Sequence, residues 1–157
     1  VLFDFCITSP PFWNIEDYGD ESEQLGKSKT YYDFLYSLGR IIKNCYQALK
    51  PGCYIAWEFN DFRQDGIFHT FHSDGIELFR NIGLVLHDII VVDYGNAFFE
   101  SFLSDVEHNK IIPKRHSYVI IAQKYTSKRK PNREQTREKL LKETKEFRAN
   151  EVKLKLL

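Results

Sequence analysis

The segment VLFDFCITSPPF, residues Val1 to Phe12, decides how the rest of the chain is interpreted. Its beginning, Val1 to Ile7, is almost wholly apolar and includes aromatic and β-branched side chains, which predicts a strand buried on both faces, as in a parallel sheet. Pro10 and Pro11 follow. Because proline fixes its own φ angle and has no N–H to donate to a neighbouring strand, the chain must leave the sheet there in a stiff turn. The sequence therefore places a rigid corner at the end of a buried strand.

The residues after this corner continue as an α/β pattern. From Thr30, a predicted N-cap, apolar residues recur at spacings of three and four, which predicts an amphipathic helix. Lys50-Pro51-Gly52 ends that helix, and the apolar run Cys53–Phe59 predicts a second buried strand. A strand, a helix and a strand in this order form a right-handed parallel crossover. Residues 16–29, between the corner and the helix, are acidic and without periodicity, and we expect a long surface loop there.

The second half of the sequence predicts one more helix and two more strands. The helix spans 73–82, with Gly83 as its stop. The strands span 84–93 and 118–123, and no helical pattern separates them, which favours an antiparallel pair at the edge of the sheet.

Charge divides the chain into an acidic body, residues 1–125, and a basic tail, residues 126–157. The formal net charge is zero, but the tail holds eleven Lys and Arg against five acids, and the body holds eleven against seventeen. We expect the tail to be a charged helical extension or disordered. Its charge suits a phosphate backbone or an acidic protein surface, although a solvated charged helix is the commoner explanation of such a run.

The cysteine content bears on the compartment of the protein, and the hydropathy bears on whether it spans a membrane. The three cysteines have no CxxC spacing and lie among apolar neighbours, which argues against disulfides and a structural zinc site and predicts a cytoplasmic protein. No apolar run approaches the length of about 20 residues that a membrane helix requires. The sequence contains no methionine and opens inside a strand-like run, so we expect it to be a piece of a longer protein.

Three segments carry a resemblance to a known family. Thr8 to Phe12 resembles the Ser/Asp/Asn-Pro-Pro-Tyr/Phe motif of DNA amino-methyltransferases, which modify cytosine N4 or adenine N6. Leu49 to Gly52 before a strand resembles the helix-to-strand junction of many Rossmann-like methyltransferases, and His116 to Lys124 resembles the last edge strand of that family. The similarity covers roughly residues 1–125, in the family's order.

The resemblance implies a fold, a cofactor and partners. The fold is an α/β Rossmann-like methyltransferase sheet, mostly parallel, with an antiparallel edge hairpin. The methyl donor is S-adenosylmethionine, and the substrate is double-stranded DNA. A cognate restriction endonuclease, or a second chain that completes the cofactor site, is a further partner to expect.

The chemistry of the motif follows from its residue types. The lone pair of an exocyclic amino group is delocalised into the ring, so a catalyst must place hydrogen-bond acceptors against its N–H bonds. Pro10 and Pro11 hold the carbonyls of Ser9 and Pro10 in one direction, and the Ser9 hydroxyl is another acceptor. The base must be extruded from the duplex and stacked on an aromatic face. We therefore predict Ser9, Pro10, Pro11 and Phe12 as the catalytic group, with Trp13 as a wall that contacts the substrate.

Further polar residues lie at the predicted strand ends. Thr8 and three residues that end the second strand, Glu58, Asn60 and Asp61, are expected near the cofactor, because ligands bind at the carboxyl ends of parallel strands. Polar residues that end a strand also serve as turn formers, and that role is equally open for Glu58, Asn60 and Asp61.

Basic residues and histidines supply weaker signals. Lys114 and Arg115, together with Lys128 to Lys130, are expected to contact phosphates, although solubility alone would also explain them. His69 and His72 have a spacing compatible with a metal, but no third ligand is evident, so we predict no metal site.

The family's cofactor loop, an aromatic-x-Gly-x-Gly segment after a strand, is absent: no two of the eight glycines stand two residues apart. The loop could precede Val1 or follow Leu157 in a longer chain. The first hypothesis is a DNA amino-methyltransferase, with Ser9 slightly favouring cytosine N4 over adenine N6. The second is a non-catalytic methyltransferase subunit that binds nucleic acid or a partner chain. The third is methyl transfer to RNA or a small molecule.

Overall fold

The computed structural model describes residues 1–16, 18–95, 110–112 and 114–125. The predicted tail, residues 126–157, lies outside the described residues. The helices and strands are β1 (Phe3–Thr8), α1 (Tyr31–Ala48), β2 (Leu49–Phe59), β3 (Phe62–Gln64), β4 (Ile67–His69), α2 (Phe71–Ile82), β5 (Val85–Asp93) and β6 (His116–Gln123). Two short 3-10 turns lie between β1 and α1: Leu25–Lys27 is within the predicted loop of residues 16–29, and Trp13–Ile15 precedes it. None of the described helices is both long and apolar enough to span a membrane.

The main sheet has the strand order β1-β2-β6-β5. β1 and β2 are parallel, with Thr8 opposite Trp57, whereas β6 is antiparallel to both β2 and β5. Three of the four strands therefore point the same way, and the predicted antiparallel pairing of the last two strands is confirmed. The prediction that β6 is the edge strand is wrong. β6 lies between β2 and β5, where Ile120 and Ala122 are fully buried.

α1 begins as its sequence predicts. Thr30 is the N-cap, and its Oγ1 accepts a hydrogen bond from the Asp33 amide at 3.1 Å. The helix ends at Ala48, and β2 begins at once, so the strand starts four residues before the predicted Cys53. Gly52 has a φ of +86°, and its N–H donates to the Lys124 carbonyl at 2.6 Å, so the strand continues across the Pro-Gly pair.

α2 begins at Phe71, two residues before the predicted start, and ends at Ile82 with Gly83 as its stop, as predicted. Gly83 adopts the left-handed conformation, with a φ of +104°. Within the helix, Gly75 lies directly against β2, because a Cβ atom at this position would be 2.6 Å from the Phe59 ring. The glycine therefore sets how closely α2 approaches the sheet.

The core lies between one face of the sheet and the two helices. Ile55, Trp57 and Phe59 point into it from alternate positions of β2, as a strand's period of two requires. The buried partners from the helices and β6 are Phe34, Leu38, Ile42, Phe71, Phe79, Ile120 and Ala122.

β1 is a strand as predicted, but it is not buried on both faces. Phe3, Phe5 and Ile7 are 57%, 52% and 72% exposed. β1 is the outermost strand of the described sheet, and the helices pack on the face opposite these three side chains. Cys6 points the other way, toward the core, where its Sγ lies 3.5 Å from the Trp57 indole nitrogen. The apolar run correctly predicted a strand but could not tell which face would be covered.

Candidate functional site

The Ser-Pro-Pro-Phe corner lies at the carboxyl end of β1, beside the end of β2. Pro10 is buried, Ser9 is exposed, and Pro11 and Phe12 are half-buried. The Ser9 hydroxyl has no hydrogen-bond partner within the described part of the chain, and the described turn and loop hydrogen bonds use neither the Ser9 nor the Pro10 carbonyl. Among the described residues, none occupies the Ser9 hydroxyl or the Ser9 and Pro10 carbonyls, so these acceptors remain open to a ligand.

Phe12 packs against the hydrophobic core. Its ring meets the fully buried ring of Phe71 edge to face, with centroids 6.0 Å apart and an interplanar angle of 83°. The Phe12 carbonyl accepts a hydrogen bond from the Ile15 amide at 3.2 Å, which closes the short turn after the motif. A half-buried aromatic ring is therefore held in place three residues after Ser9.

Trp13 is fixed by an aromatic cluster that also contains Tyr31, Phe62 and His69. Its indole N–H donates to the Ser28 carbonyl at 3.0 Å, and its ring lies 5.7 Å from Tyr31 and 5.8 Å from His69. Trp13 has a φ of +51°, which is uncommon for a residue with a side chain and is maintained by these contacts. The cluster joins the loop after the motif to the start of α1 and to β4.

Tyr31 connects this cluster to α2. Its hydroxyl donates to the Asp74 carboxylate at 2.7 Å. Burial and the Asp74 charge both disfavour the phenolate, so the pKa of Tyr31 lies above its ordinary value.

The four residues predicted near the cofactor have different surroundings. Glu58 accepts hydrogen bonds from Ser117 and Tyr94, both at 2.5 Å, so its carboxylate is already engaged. Asp61 is 6% exposed and is also engaged, as described next. Asn60 holds a buried Oδ1 that accepts no hydrogen bond from the described residues, and Thr8 is exposed. Asn60 and Thr8 are thus the two that retain side-chain capacity for a ligand.

Asp61 is the centre of a polar group at the end of β2. Its Oδ1 accepts the His72 amide at 3.1 Å and lies 2.6 Å from the His72 Nδ1, and its Oδ2 lies 3.8 Å from the Lys114 Nζ. The Lys114 ammonium is buried and has no hydrogen-bond acceptor among the described residues. Burial lowers the pKa of Lys114, and the Asp61 charge opposes that shift.

The other predicted residues lie apart from this group. Arg115 is 3.7 Å from Asp93, at the end of β5, so the structure does not bring it together with Lys114. His69 is in the aromatic cluster, whereas His72 stacks on Tyr118 with ring centroids 4.2 Å apart. No set of three metal-ligating side chains occurs in the described residues.

Sequence reasoning missed the β3–β4 hairpin and the pairing of Asp61 with His72. The hairpin had a detectable signal, because the dipeptide Asp65-Gly66 is typical of a two-residue hairpin turn. The Asp61–His72 contact had none, since it joins residues eleven positions apart across an unpredicted hairpin.

Residues 3–155 match the protein family described as DNA methylase, which is nearly the whole sequence. The chain belongs to the DNA methylase family. A comparison with curated proteins gives no match.

Solved structures share the fold of this methylase-family chain. One is a protein of Thermus thermophilus named as a candidate DNA modification methylase, with 24% identity and a TM-score of 0.57 over 84% of this chain and 50% of that one. The same protein in complex with S-adenosyl-L-methionine gives 24% identity, a TM-score of 0.57 and coverages of 84% and 52%. The cytosine-N4-specific PvuII DNA methyltransferase gives 12% identity, a TM-score of 0.57 and coverages of 78% and 43%. The chain thus spans about half the length of the structures it matches.

Proposed function

We propose that this chain forms the target-base side of a DNA methyltransferase that transfers a methyl group from S-adenosylmethionine to an exocyclic amino group. The observation that carries the proposal is the corner Ser9–Phe12 at the carboxyl end of β1. Ser9 is exposed, the described residues leave the Ser9 and Pro10 carbonyls unoccupied, and the Phe12 ring packs against Phe71. Family membership supports it. The serine favours cytosine N4 over adenine N6 as the target.

Each residue of the corner has a defined task in this proposal. The carbonyls of Ser9 and Pro10 and the Ser9 hydroxyl accept the amino N–H bonds and favour a pyramidal nitrogen whose lone pair can attack. Phe12 stacks on the extruded base. The nitrogen would form a bond to the methyl carbon as the carbon–sulfur bond of the donor breaks, and the sulfur would keep that electron pair as a neutral thioether. The nitrogen would then lose a proton to water, because neither a carbonyl nor a hydroxyl is basic enough to keep it.

A few of the described residues fit part of a cofactor site. S-adenosylmethionine supplies an activated methyl group on a positively charged sulfur, so the reaction needs no metal. Thr8 and Asn60 would contact the cofactor, since the buried Asn60 Oδ1 accepts no hydrogen bond from the described residues. Glu58 and Asp61 would act through the side chains that they already bind.

The test is transfer of a labelled methyl group from S-adenosylmethionine to duplex DNA, RNA and free nucleosides. We expect label in duplex DNA, recovered as N4-methylcytosine, and a strong loss of label with Ser9→Ala. Label in RNA or nucleosides but not in DNA would contradict the proposed substrate. Label in DNA as N6-methyladenine would support the proposed DNA methyltransferase activity but contradict cytosine N4 as the target.

A second candidate function is a subunit that requires a partner chain to complete the cofactor site. The exposed apolar side chains of β1 favour it, because an open strand edge with Phe3, Phe5 and Ile7 exposed can pair with a strand of another segment. Adjacent reading frames that encode an aromatic-x-Gly-x-Gly segment are the partners to co-express. Ile7→Lys should then prevent complex formation without lowering the stability of the isolated chain, and an unaffected complex would exclude this surface.

The wider setting remains a prediction from the resemblance. The resemblance predicts that the enzyme acts on double-stranded DNA in the cytoplasm. It also predicts a restriction-modification pair, in which a cognate endonuclease cuts the unmethylated sequence. A search for a nuclease gene next to this one would test that pairing.

A further inference from the structure

The β3–β4 hairpin presents an aromatic residue and a cation on its outer face. Phe62 pairs with His69, and Arg63 pairs with Phe68. Because successive residues of a strand point to opposite faces, Phe62 and His69 share the inner face, and Arg63 and Phe68 share the outer one. The inner pair packs in the aromatic cluster, with the Phe62 and His69 ring centroids 5.0 Å apart.

The hairpin is held rigidly. Asp65 and Gly66 have φ angles of +52° and +77°, the signature of a tight two-residue hairpin turn. His69 lies 4.3 Å from the Tyr31 ring and 5.8 Å from the Trp13 ring. The outer face is therefore presented in a fixed position beside the loop that follows the Ser-Pro-Pro-Phe corner.

Phe68 is the centre of the outer face. Phe68 is 43% exposed. The Arg63 Cζ lies 5.0 Å and the Lys114 Nζ 5.3 Å from the ring centroid. Lys114 pairs with Asp61, but Arg63 is exposed and forms no ion pair with the described residues. A partly exposed aromatic ring thus lies next to a guanidinium that forms no hydrogen bond or ion pair within the described part of the chain.

We propose that this outer face binds the DNA strand next to the extruded base. Arg63 contacts a backbone phosphate, and Phe68 contacts the face of a neighbouring base, the combination by which proteins hold unstacked nucleic acid. Asp65, in the turn, opposes this binding by its charge. The inference rests on DNA being the substrate under the proposed function, but it does not require that this chain bind the methyl donor.

The test is binding of the whole chain to a fluorescein-labelled DNA duplex that carries one unpaired cytosine, measured by anisotropy at several salt concentrations. Arg63→Gln should weaken binding and lower the slope of log affinity against log salt by about one. Phe68→Leu, which keeps an apolar side chain, should weaken binding roughly fivefold through lost stacking. Asp65→Asn, which tolerates the same backbone conformation, should strengthen binding.

Arg80→Gln is the matched control, because Arg80 is exposed on α2 and pairs with Glu77 at 2.9 Å. Its binding should equal that of the wild type, and Arg63→Lys should keep the wild-type salt slope. Equal losses for Arg63→Gln and Arg80→Gln, or wild-type binding by both Arg63→Gln and Phe68→Leu, would overturn the inference. Methyl transfer to DNA that is insensitive to Arg63 would retain the proposed function and reject only this surface. DNA binding that depends on Arg63 without methyl transfer would support this surface and reject the proposed function.

Discussion

At the scale of single residues, Phe12 and Phe71 separate base capture from folding. The two rings touch, but Phe12 is half-exposed and Phe71 is fully buried. We expect Phe12→Ala to lower methyl transfer to DNA roughly tenfold, the share expected of one stacked base. Phe71→Ala should instead lower the free energy of unfolding by about 3–5 kcal/mol. Initial rates and denaturant unfolding of both variants test this, and a Phe12→Ala chain as unstable as Phe71→Ala would contradict it.

Tyr31 gives a prediction about pH. Its pKa is raised in the folded protein by burial and by Asp74, so folding favours the protonated phenol. That contribution is complete below the ordinary tyrosine pKa of 10.0 and is lost as the pH rises above it. Wild type should exceed Tyr31→Phe in unfolding free energy by about 1 kcal/mol at pH 7 because of the lost hydrogen bond. This advantage should shrink above pH 10; a constant difference would refute the assignment.

The single residues also show where sequence reasoning stops. The rigid corner after β1 was predictable, because the two prolines fix the local backbone whatever surrounds it. The acceptor role of Ser9 and the stacking role of Phe12 stay predictions. That Glu58 would be engaged by Ser117 and Tyr94 was not, since those partners lie 59 and 36 positions away. A strand-end carboxylate has the same sequence signature whether it faces a ligand or a neighbouring strand.

At the scale of elements, Lys124 tests how α1 is terminated. Its Nζ donates to the carbonyls of Tyr46 and Leu49, both at 2.7 Å, at the carboxyl end of the helix. A cation there satisfies carbonyls that have no partner in the helix and complements its dipole. Lys124→Met should lower the unfolding free energy by about 1–2 kcal/mol. Lys43→Met, at an exposed position on the same helix, should have little effect on the unfolding free energy. Equal losses in the two variants would contradict the role of Lys124 at the helix end, because the removal of a positive charge would then explain both.

Gly75 tests the packing of α2 on β2. An alanine Cβ would be 2.6 Å from the Phe59 ring, closer than atoms can pack, so Gly75→Ala should destabilise the protein by about 1–3 kcal/mol. Gly39→Ala on α1 is the matched control, because the nearest atom is a flexible Leu78 methyl at 3.3 Å. Thermal melts of both variants measure the contrast. A stabilised Gly75→Ala protein would mean that α2 lies farther from the sheet.

The elements were predictable in proportion to their local signals. α1 has a cap and sustained periodicity, and its start was predicted to the residue. The β3–β4 hairpin has strands of only three residues each, too short for alternation to be visible, so only its Asp-Gly turn could have revealed it.

At the scale of the whole molecule, two features could not be predicted from the sequence: the order of strands along the sheet and the exposed side of β1. The apolar run of β1 indicates a strand, but whether a second layer covers Phe3, Phe5 and Ile7 depends on parts of the assembly that local composition does not encode. The insertion of β6 between β2 and β5 likewise arises from long-range pairing. The fold class was nevertheless predictable, because a strand, helix and strand in succession permit few topologies.

The proposed function depends most on the corner Ser9–Phe12 receiving an extruded base. The most direct measurement is the ratio of affinities for a duplex with one unpaired cytosine and for the fully paired duplex, with wild type and Phe12→Ala. Because an unpaired base costs less to extrude, wild type should prefer the unpaired cytosine roughly tenfold, and Phe12→Ala should bind the two duplexes almost equally. A wild-type protein without this preference, or a variant that retains it, would contradict the account.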